Sequence, residues 1–494
     1  MVERDKSLLC FLLLLLHGMW LFSQECSYEQ MKAEMDAHSL PLVNIMVDVA
    51  TVSSNSFVDG KMEIATYQEE GESTAKTEKY DCRLRYRGSK ALSFQKKSFA
   101  VKLVDEMGED LDAGILGMRE ENSWILDAMA IDRIRMRNRV CFDVWNEMSG
   151  TPYETKYGRR NGTEGKFVEV FMNGSYHGLY CMTDKVNRKL LGLKKVKVDD
   201  GGGVTVRGLL YKGINWGSGC NLLSYNVADT DADQWNAWEL QYPEDYPSAE
   251  TWQPLMDLID FCSYKTGLTT FKNQYQDYFY PENLLDYAVF TLALGVGDNA
   301  YKNTFLSTVD MTEAHRYLIT PWDMDMSLGG FYNGQRDETL MQIDRYNIVA
   351  PFNRLYVRNV DGFADREKAL WEETKDGVFS TKKIRQRLDD YAEAFKRSGA
   401  WQREYEKWNN NPVPLQANLD GELDYVNDWY EKNYNNLCEQ FGVTSGISSL
   451  AENQDKPMSV YTLDGRKMNA RNLSALPSGV YIVNGVKRVV IHTK

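Results

Sequence analysis

Two short segments of the chain place acidic and amide side chains at spacings that suit a divalent metal and a reacting hydroxyl. In the first segment, Asp298 and Asn303 are five residues apart and follow an apolar run that ends near two glycines. Phosphoryl transfer needs a carboxylate that positions the attacking hydroxyl, together with oxygen ligands for metal, and this spacing suits a loop that supplies both. We therefore predict Asp298 as a catalytic carboxylate and Asn303 as a metal ligand.

The second segment contains Asp323 and Asp325 at alternate positions, preceded by Pro-Trp and followed by Ser-x-Gly. In an extended segment these two side chains point to opposite faces, so one can chelate Mg²⁺ while the other orients backbone or a second ion. An isolated Asp-x-Asp is more often a solvated loop. Its position downstream of Asp298 and Asn303 argues against accident, so we predict Asp323 and Asp325 as metal ligands.

A basic segment nearer the N-terminus can supply the cation that phosphates require. Arg87, Gly88 and Ser89 come first; Gly88 permits close backbone approach and Ser89 can donate a hydrogen bond to phosphate. Lys97 and Lys102 follow as phosphate cations. Their odd separation puts them on opposite faces of a regular strand, so only one faces a cleft unless Lys97 lies in the loop. The alternative is a solvated basic edge strand that blocks aggregation.

Hydrophobic periodicity predicts which elements position these residues. Apolar alternation predicts strands first, and an Asn-Gly turn at 173–174 is a strong hairpin signal; helical spacing dominates later. The predicted strands are residues 40–49, 61–67, 83–87, 98–103, 166–172 and 176–182, and the predicted helices are 131–148, 251–264, 281–295, 381–398 and 421–441. The chain is therefore expected to be α+β, with a β-rich N-terminal lobe (about 40–183), a helical C-terminal lobe (about 184–444) and a small β-module (458–494).

Composition and the N-terminus limit the class of protein. The excess of 71 Asp+Glu over 57 Lys+Arg gives a net charge of −14, which repels nucleic acid, so no nucleic-acid partner is expected. Arg4 and Lys6 precede a short apolar run, which predicts a signal peptide over residues 1–24 and a secreted or cell-surface protein without a transmembrane segment in its mature form. An anchor helix is the alternative. The seven remaining cysteines leave room for one or two disulfides.

This combination of motifs resembles the CotH kinases, a family named for spore coat protein H, over about residues 40–441. The matching motifs are Arg-x-Arg-Gly-Ser (85–89), Lys-Lys-Ser-x-x-x-Lys (96–102), Trp-x-Leu-x-Ala (124–128), Asp-x-x-x-x-Arg-Asn (132–138), the hairpin (168–180) and the two acidic segments. The resemblance implies a bilobal protein-kinase-like fold with ATP between the lobes and Mg²⁺ or Mn²⁺ beside Asn303, Asp323 and Asp325. It implies an atypical kinase, for which a protein acceptor with serine or threonine is favoured; tyrosine, the protein itself and a non-protein molecule stay open as acceptors.

The chain departs from ordinary protein kinases at two points. It lacks a Gly-x-Gly-x-x-Gly loop, so residues 87–90 are expected to cover the phosphates, and it lacks a His-Arg-Asp triplet. A glutamate partner for the lysine is not evident, and Glu147 is a guess. Arg137 and Asn138 are expected to hold their helix rather than contact phosphate.

The last residues resemble the C-terminal sorting domains of proteins exported by the type IX secretion system. Two turns, Asp-Gly and Asn-Gly, separate short alternating runs, and the residues that match are Tyr461, Gly465, Leu476, Pro477, Gly479 and Tyr481. The resemblance implies type IX secretion machinery as a partner. An ordinary β-appendage is the alternative.

Two other functions remain open at this stage. One is binding or hydrolysis of glycans, with Asp298 and Asp323 as paired carboxylates flanked by aromatic residues. The other is a catalytically silent coat or adhesion protein on a kinase-like scaffold. The glycan hypothesis does not explain Asn303, the basic strand or the Ser-x-Gly after Asp325, and the intact acidic and amide residues argue against the silent scaffold.

Overall fold

The computed structural model describes residues 26–69, 74–300, 302–313, 315–344 and 349–445, together with four short strands between 460 and 490. The predicted signal peptide lies outside the described residues. Two compact units make up the chain, one ending at Leu437 and the other beginning at Cys438. Within the described residues, none of the helices combines the length and the apolar character that a bilayer crossing requires.

Strands dominate the described residues up to Thr183. They are β1 (Leu42–Met46), β2 (Val58–Tyr67), β3 (Ala75–Arg87), β4 (Ser98–Val104), β5 (Ala113–Gly114), β6 (Glu120–Glu121), β7 (Ser123–Asp127), β8 (Gly150–Thr155), β9 (Gly158–Arg160), β10 (Gly165–Met172) and β11 (Ser175–Thr183), with helices α1 (Tyr28–Ala33) and α2 (Arg137–Met148). Seven of the strands close into a barrel in the order β1, β10, β11, β7, β4, β3, β2. Closure gives every one of these strands two neighbours and leaves no free sheet edge.

Alternation along the barrel strands separates the core from the outer surface. On β4, Phe99, Val101 and Leu103 are buried inside the barrel, whereas Lys102 lies between them in sequence and points outward. The β10–β11 hairpin predicted from Asn-Gly is confirmed, with Asn173 at φ 51° and Gly174 at φ 81°. The barrel itself depends on a parallel pairing of β1 with β10, which joins residues far apart in sequence.

Helices dominate the described residues after Thr183, as the sequence predicts, but they surround a sheet that the sequence did not predict. The strands are β12 (Lys197–Val198), β13 (Val204–Thr205), β14 (Leu209–Gly213), β15 (Gln234–Trp235), β16 (Trp238–Tyr242), β17 (Thr304–Thr308) and β18 (Leu318–Pro321); the helices are α3 (Ala249–Cys262), α4 (Leu268–Tyr278), α5 (Pro281–Leu294), α6 (Phe352–Leu355), α7 (Phe363–Thr374), α8 (Thr381–Arg397), α9 (Ala400–Trp408) and α10 (Asp420–Phe441). Five strands form one sheet in the order β15, β16, β14, β17, β18. The α+β class is thereby confirmed.

The second unit contains four described strands, β19 (Val460–Thr462), β20 (Lys467–Met468), β21 (Gly479–Val483) and β22 (Val486–Val490). They form one antiparallel sheet in the order β20, β19, β21, β22. Of the residues that match the sorting-domain motif, Gly465, Leu476 and Pro477 lie outside the described residues. The seven described cysteines form no disulfide with one another, so none of the disulfides left open by the sequence is present among them.

A fully buried group of charges joins the barrel to α9. Lys96 Nζ donates to Glu404 Oε1 at 2.6 Å and to the Leu179 carbonyl at 2.6 Å, and Arg135 Nε donates to the same carboxylate oxygen at 2.7 Å. The Leu179 amide donates to Glu404 Oε2 at 2.8 Å. All three charged side chains are 0% exposed, so each depends on the others for compensation.

Gly178, in the hairpin motif, leaves room for this charge group. A Cβ at this position would lie 2.7 Å from Trp408 Nε1 and 2.9 Å from Glu404 Oε2, and the backbone has φ +141°. Only glycine allows β11 to approach α9 this closely. The glycine of the predicted motif is therefore explained by packing rather than by chemistry.

We predict that Glu404→Ala destabilises the protein by about 3–5 kcal/mol, because it leaves Lys96 and Arg135 buried without a carboxylate. Chemical denaturation of the purified protein measures the change. Glu406→Ala, an exposed position on the same helix, is the matched control and is expected to change stability by less than about 0.5 kcal/mol. Equal stability of the two variants would contradict the role given to Glu404.

Glu367 on α7 is a second buried carboxylate, and it lacks compensation. It is 1% exposed, and its Oε2 atom has no hydrogen-bond partner. Burial raises the pKa of Glu367 to about 8. The folded protein therefore keeps a proton on this side chain at pH values where the unfolded chain has lost it.

This difference makes stability depend on pH in a defined direction. Between about pH 4.5 and pH 8 the unfolded chain binds fewer protons than the folded chain, so stability falls as pH rises through that window. We predict that Glu367→Gln removes this fall and raises the free energy of unfolding at pH 7 by on the order of 3 kcal/mol, with little change at pH 4.5. Thermal unfolding from pH 4.5 to pH 8, with exposed Glu372→Gln as control, measures it; parallel curves for wild type and Glu367→Gln would disprove the explanation.

Candidate active site

The turn after α5 positions the predicted catalytic carboxylate. α5 ends at Gly295, whose left-handed conformation (φ 64°) redirects the chain, and Asp298 begins a 3₁₀ turn over Asp298–Ala300. Asp298 is only 7% exposed. Lys302 closes the turn, since its amide donates to the Asp298 carbonyl at 2.9 Å and its ammonium lies 3.0 Å from Asp298 Oδ2. The carboxylate is recessed and held by one ion pair.

The pairing of β17 with β18 brings together the predicted metal ligands. Thr304 lies opposite Pro321, so Asn303, just before β17, is near Asp323, just after Trp322. Asn303 Nδ2 donates to the Asp323 carbonyl at 3.4 Å, and the Trp322 amide donates to the Asn303 carbonyl at 2.9 Å. Asn303 and Asp323 have φ +53° and +54°, a conformation that Asn and Asp tolerate better than most residues.

Asp325 and Asp323 carry like charges in crowded surroundings. Burial first, and then Asp323 and Asp127 among other carboxylates, hold the pKa of Asp325 well above its usual range. Burial and Asp127 also raise the pKa of Asp323, and Lys212 opposes that rise. Solvent reaches Asp323 although protein surrounds it on most sides, as at the bottom of a cleft. Asp298 also lies near enough to act on Asp325.

These oxygen atoms have the chemistry of a partial site for a hard divalent cation. Among the described residues, the side chains of Asp323 and Asp325 have no hydrogen-bond or ion-pair partner, and Asn303 Oδ1 accepts no hydrogen bond. No group of three or more His, Cys, Asp or Glu side chains in the described part of the chain is placed to hold a metal. Mg²⁺ needs only one or two carboxylates when water and phosphate oxygens complete its shell, so the donor set fits a metal that binds together with a phosphate compound.

Cations lie against this acidic group. Burial lowers the pKa of Arg87, whose charge is felt by Asp323, and burial likewise lowers the pKa of Lys212 and of Lys185. The Arg87 guanidinium lies 5.7 Å and the Lys212 ammonium 5.9 Å from the centre of the Trp322 ring. Burial makes the charged form of each of these three side chains less favourable. An anionic ligand between them and the carboxylates would offset that cost.

The other residues predicted to contact phosphate lie near Arg87, in the loop between β3 and β4 or on β4. Gly88 has φ +113° and Ser89 is exposed. The Lys97 ammonium donates to the Leu92 carbonyl at 2.5 Å in the loop before β4, whereas the Lys102 ammonium lies 5.2 Å from the Phe57 ring on the outer face of the barrel. Lys102 is close enough to Lys185 to act on its pKa. Which of Lys97 and Lys102 contacts phosphate stays a prediction.

Sequence reasoning missed Asp127, although the Trp-x-Leu-x-Ala motif surrounds it. Asn138 Nδ2 donates to Asp127 Oδ2 at 3.1 Å, and Asn138 Oδ1 accepts a bond from the Met324 amide at 3.1 Å. Asn138 therefore links the end of β7 to Met324, the residue between Asp323 and Asp325. Arg137 instead forms a buried ion pair with Asp132. The Arg137 side chain therefore holds the start of α2, whereas the Asn138 side chain links β7 to the backbone of Met324.

The guess that Glu147 is the glutamate partner of a phosphate lysine is wrong. Glu147 lies at the end of α2 and pairs with Lys383 and Arg387 of α8 on the surface. The glutamate that pairs with a lysine of the basic segment is Glu404, and its partner is Lys96. Lys96 was not among the predicted residues. It lies beside Lys97 in the same Lys-Lys-Ser motif, and Lys97 was chosen instead.

A match to a protein-family model identifies the family of this chain. The family model described as CotH kinase protein matches residues 84–437, more than two thirds of the chain. The chain belongs to the CotH kinase family. The match begins in β3, ends in α10 and includes every predicted site residue. Comparison with curated proteins found no match.

We predict that Asp325→Asn stabilises the protein in the absence of divalent metal, because it removes one of several like charges that repel each other. Wild-type protein is expected to gain at least about 2 °C in Tm on addition of Mg²⁺ or Mn²⁺ with ATP, and the variant is expected to lose that gain. Differential scanning calorimetry measures both effects.

The matched control is Asp81→Asn, which removes an exposed carboxylate paired with Lys61. It should leave the response to metal and nucleotide intact. A lower Tm for metal-free Asp325→Asn, or a wild type that ignores Mg²⁺ and Mn²⁺, would count against this metal site.

Proposed function

We propose that this protein is a secreted atypical kinase that transfers the γ-phosphoryl group of ATP to a protein hydroxyl with the help of Mg²⁺ or Mn²⁺. One observation carries the proposal: Asp323 and Asp325 have no hydrogen-bond or ion-pair partner among the described residues, and the recess that holds them also contains the cations Arg87, Lys185 and Lys212. A nucleotide triphosphate with a divalent metal complements both charge sets at once.

Each side chain has a part in this proposal. Arg87 and Lys212 bind the phosphate oxygens, and Asp323, Asp325 and Asn303 hold the divalent cation, which when bound neutralises charge on the transferred group. Asp298 orients the acceptor hydroxyl and takes its proton. The glycan alternative makes no use of the three partly buried cations, so the charge distribution favours phosphate chemistry.

The proposed nucleotide cleft lies between the two halves of the first unit. The barrel half supplies Arg87 from β3 and Asp127 from β7, and the half after Thr183 supplies Lys212 from β14 together with the β17–β18 ligands. We propose that these halves are the N-lobe and C-lobe of a bilobal protein-kinase-like fold. Each half contributes both a cation and a carboxylate to the proposed cleft, which supports this arrangement.

Secretion and the acceptor complete the proposal. The predicted signal peptide over residues 1–24 supports export, and the four-stranded sheet of the second unit supports a β-module, for which type IX secretion machinery is the proposed partner. The acceptor is a protein, and the sequence resemblance favours serine or threonine.

We predict that purified protein incorporates label from γ-labelled ATP in the presence of Mg²⁺ or Mn²⁺. Asp298→Ala and Asp323→Ala are each expected to lose at least ~100-fold of this incorporation, the scale on which a positioned transition-state contact acts. Asp81→Ala, on the outer surface of the barrel, should keep it. Equal labelling of wild type, Asp298→Ala and Asp323→Ala would refute the assignment.

A further inference from the structure

A cavity of about 480 Å³ opens beside Asp298 and Lys302. Two methionines and four aromatic rings form much of its wall, namely Met326, Met341, Trp216, Phe331, Tyr332 and Trp429. Such a wall binds an apolar ring through burial and edge or face contacts between rings, and methionine sulfur adds to these contacts. The cavity therefore combines an aromatic binding surface with the predicted catalytic carboxylate.

Glycines fix one side of this cavity. A Cβ on Gly295 would lie 2.3 Å from Trp429 Cη2, and a Cβ on Gly329 would lie 2.8 Å from Trp429 Cγ. Both glycines have positive φ, 64° and 74°. The Trp429 indole thus lies directly on the backbone of the two segments that carry Asp298 and Asp325, so its place relative to both is set by packing.

The depth of the cavity discriminates between possible acceptors. Asp298 is 7% exposed, whereas Trp216 and Tyr332 are 53% and 47% exposed. The carboxylate is therefore recessed behind a more open aromatic border. A serine hydroxyl is one carbon from the peptide backbone, whereas a phenolic hydroxyl lies a whole ring further out. The acceptor hydroxyl must extend past the aromatic side chains to reach the recessed Asp298 carboxylate. The longer side chain of tyrosine extends far enough for this more readily than that of serine.

The borders of the cavity are joined across the two halves. The Lys90 ammonium lies 4.1 Å from the centre of the Tyr332 ring, a cation–π contact between the loop before β4 and the segment after Gly330. Lys90 belongs to residues 87–90, the segment predicted to cover the phosphates. The aromatic wall is thereby connected to the loop that is proposed to cover the phosphates.

We propose that this cavity is the acceptor site and that it takes the side chain of a tyrosine in a protein, in place of the serine or threonine expected from the sequence. The inference rests on the proposed function. The phenolic oxygen attacks the γ-phosphorus of ATP, and the bond from that phosphorus to the bridging oxygen breaks with its electron pair retained by ADP. The phenolic proton passes to Asp298, and the products are phosphotyrosine and ADP.

The test uses the full chain, γ-labelled ATP with Mn²⁺, and four peptides that differ only at one central position, which is Tyr, Ser, Thr or Phe between glycine and alanine flanks. The tyrosine peptide is expected to be labelled at least ~10-fold faster than the serine and threonine peptides, and the phenylalanine peptide not at all. Mass spectrometry identifies the phosphorylated residue. Nucleotide binding is measured in parallel by calorimetry with ATP and Mn²⁺.

A variant of the aromatic wall provides an independent readout. Phe331→Ala is expected to raise the KM for the tyrosine peptide by about tenfold, the loss expected for one aromatic contact. Tyr264→Ala removes an aromatic side chain that is 81% exposed and lies outside the cavity, and it should leave this KM unchanged. Equal KM values for wild type and Phe331→Ala would overturn the proposed wall.

The remaining outcomes separate this inference from the proposed function. Faster labelling of serine or threonine, in the peptides or in the protein itself, overturns the tyrosine assignment and leaves the kinase proposal standing. Binding of ATP without label in any peptide also overturns the acceptor site. Failure to bind ATP or to transfer phosphate to any acceptor removes both.

Discussion

The carboxylates of Asp323 and Asp325, which have no direct hydrogen-bond or ion-pair partner among the described residues, are the constraint on which the site depends. Two like charges in crowded surroundings, without a hydrogen bond or an ion pair among the described residues, are costly unless a cation joins them. The left-handed backbone at Asn303 and Asp323 adds local strain. Such an arrangement is maintained only where surrounding structure enforces it, and the β17–β18 pairing is that structure.

The rest of the first unit fixes the distance between these carboxylates and the cations that face them. Asn138 ties Asp127, at the end of a barrel strand, to the backbone between Asp323 and Asp325. The buried group of Lys96, Arg135 and Glu404 ties the same barrel to α9. Because these links use buried or partly buried polar groups that would be costly to leave unpaired, the two halves have little freedom to separate without loss of stability.

Local patterns in the sequence predicted local features well. Asn173 and Gly174 predicted the hairpin because only certain residues tolerate a type I′ turn, and the helix over 281–294 followed from its apolar content and its terminal glycine. The sequence also predicted that Asn303 and Asp323 lie close together, because the two segments that contain them resemble the acidic motifs of the CotH kinases. Sequence reasoning therefore found the acidic half of the candidate site.

Features that depend on distant pairing were beyond the reach of local patterns. The closure of the barrel requires β1 to pair with β10, and nothing in either strand alone encodes that partner. Lys185 and Lys212 are single lysines without a motif, and only the fold brings them to the cleft. Glu147 was chosen for its position on a predicted helix. The glutamate that pairs with Lys96 of the basic segment is Glu404, which is more than 300 residues away from that lysine in the chain.

The most direct test of the central claim is anomalous X-ray diffraction from crystals grown with Mn²⁺ and a non-hydrolysable ATP analogue. The account predicts a manganese peak about 2.0–2.3 Å from an oxygen of Asp323 or Asp325, with the nucleotide phosphates between the metal and Arg87. A peak elsewhere, or phosphates bound away from these carboxylates, would contradict it.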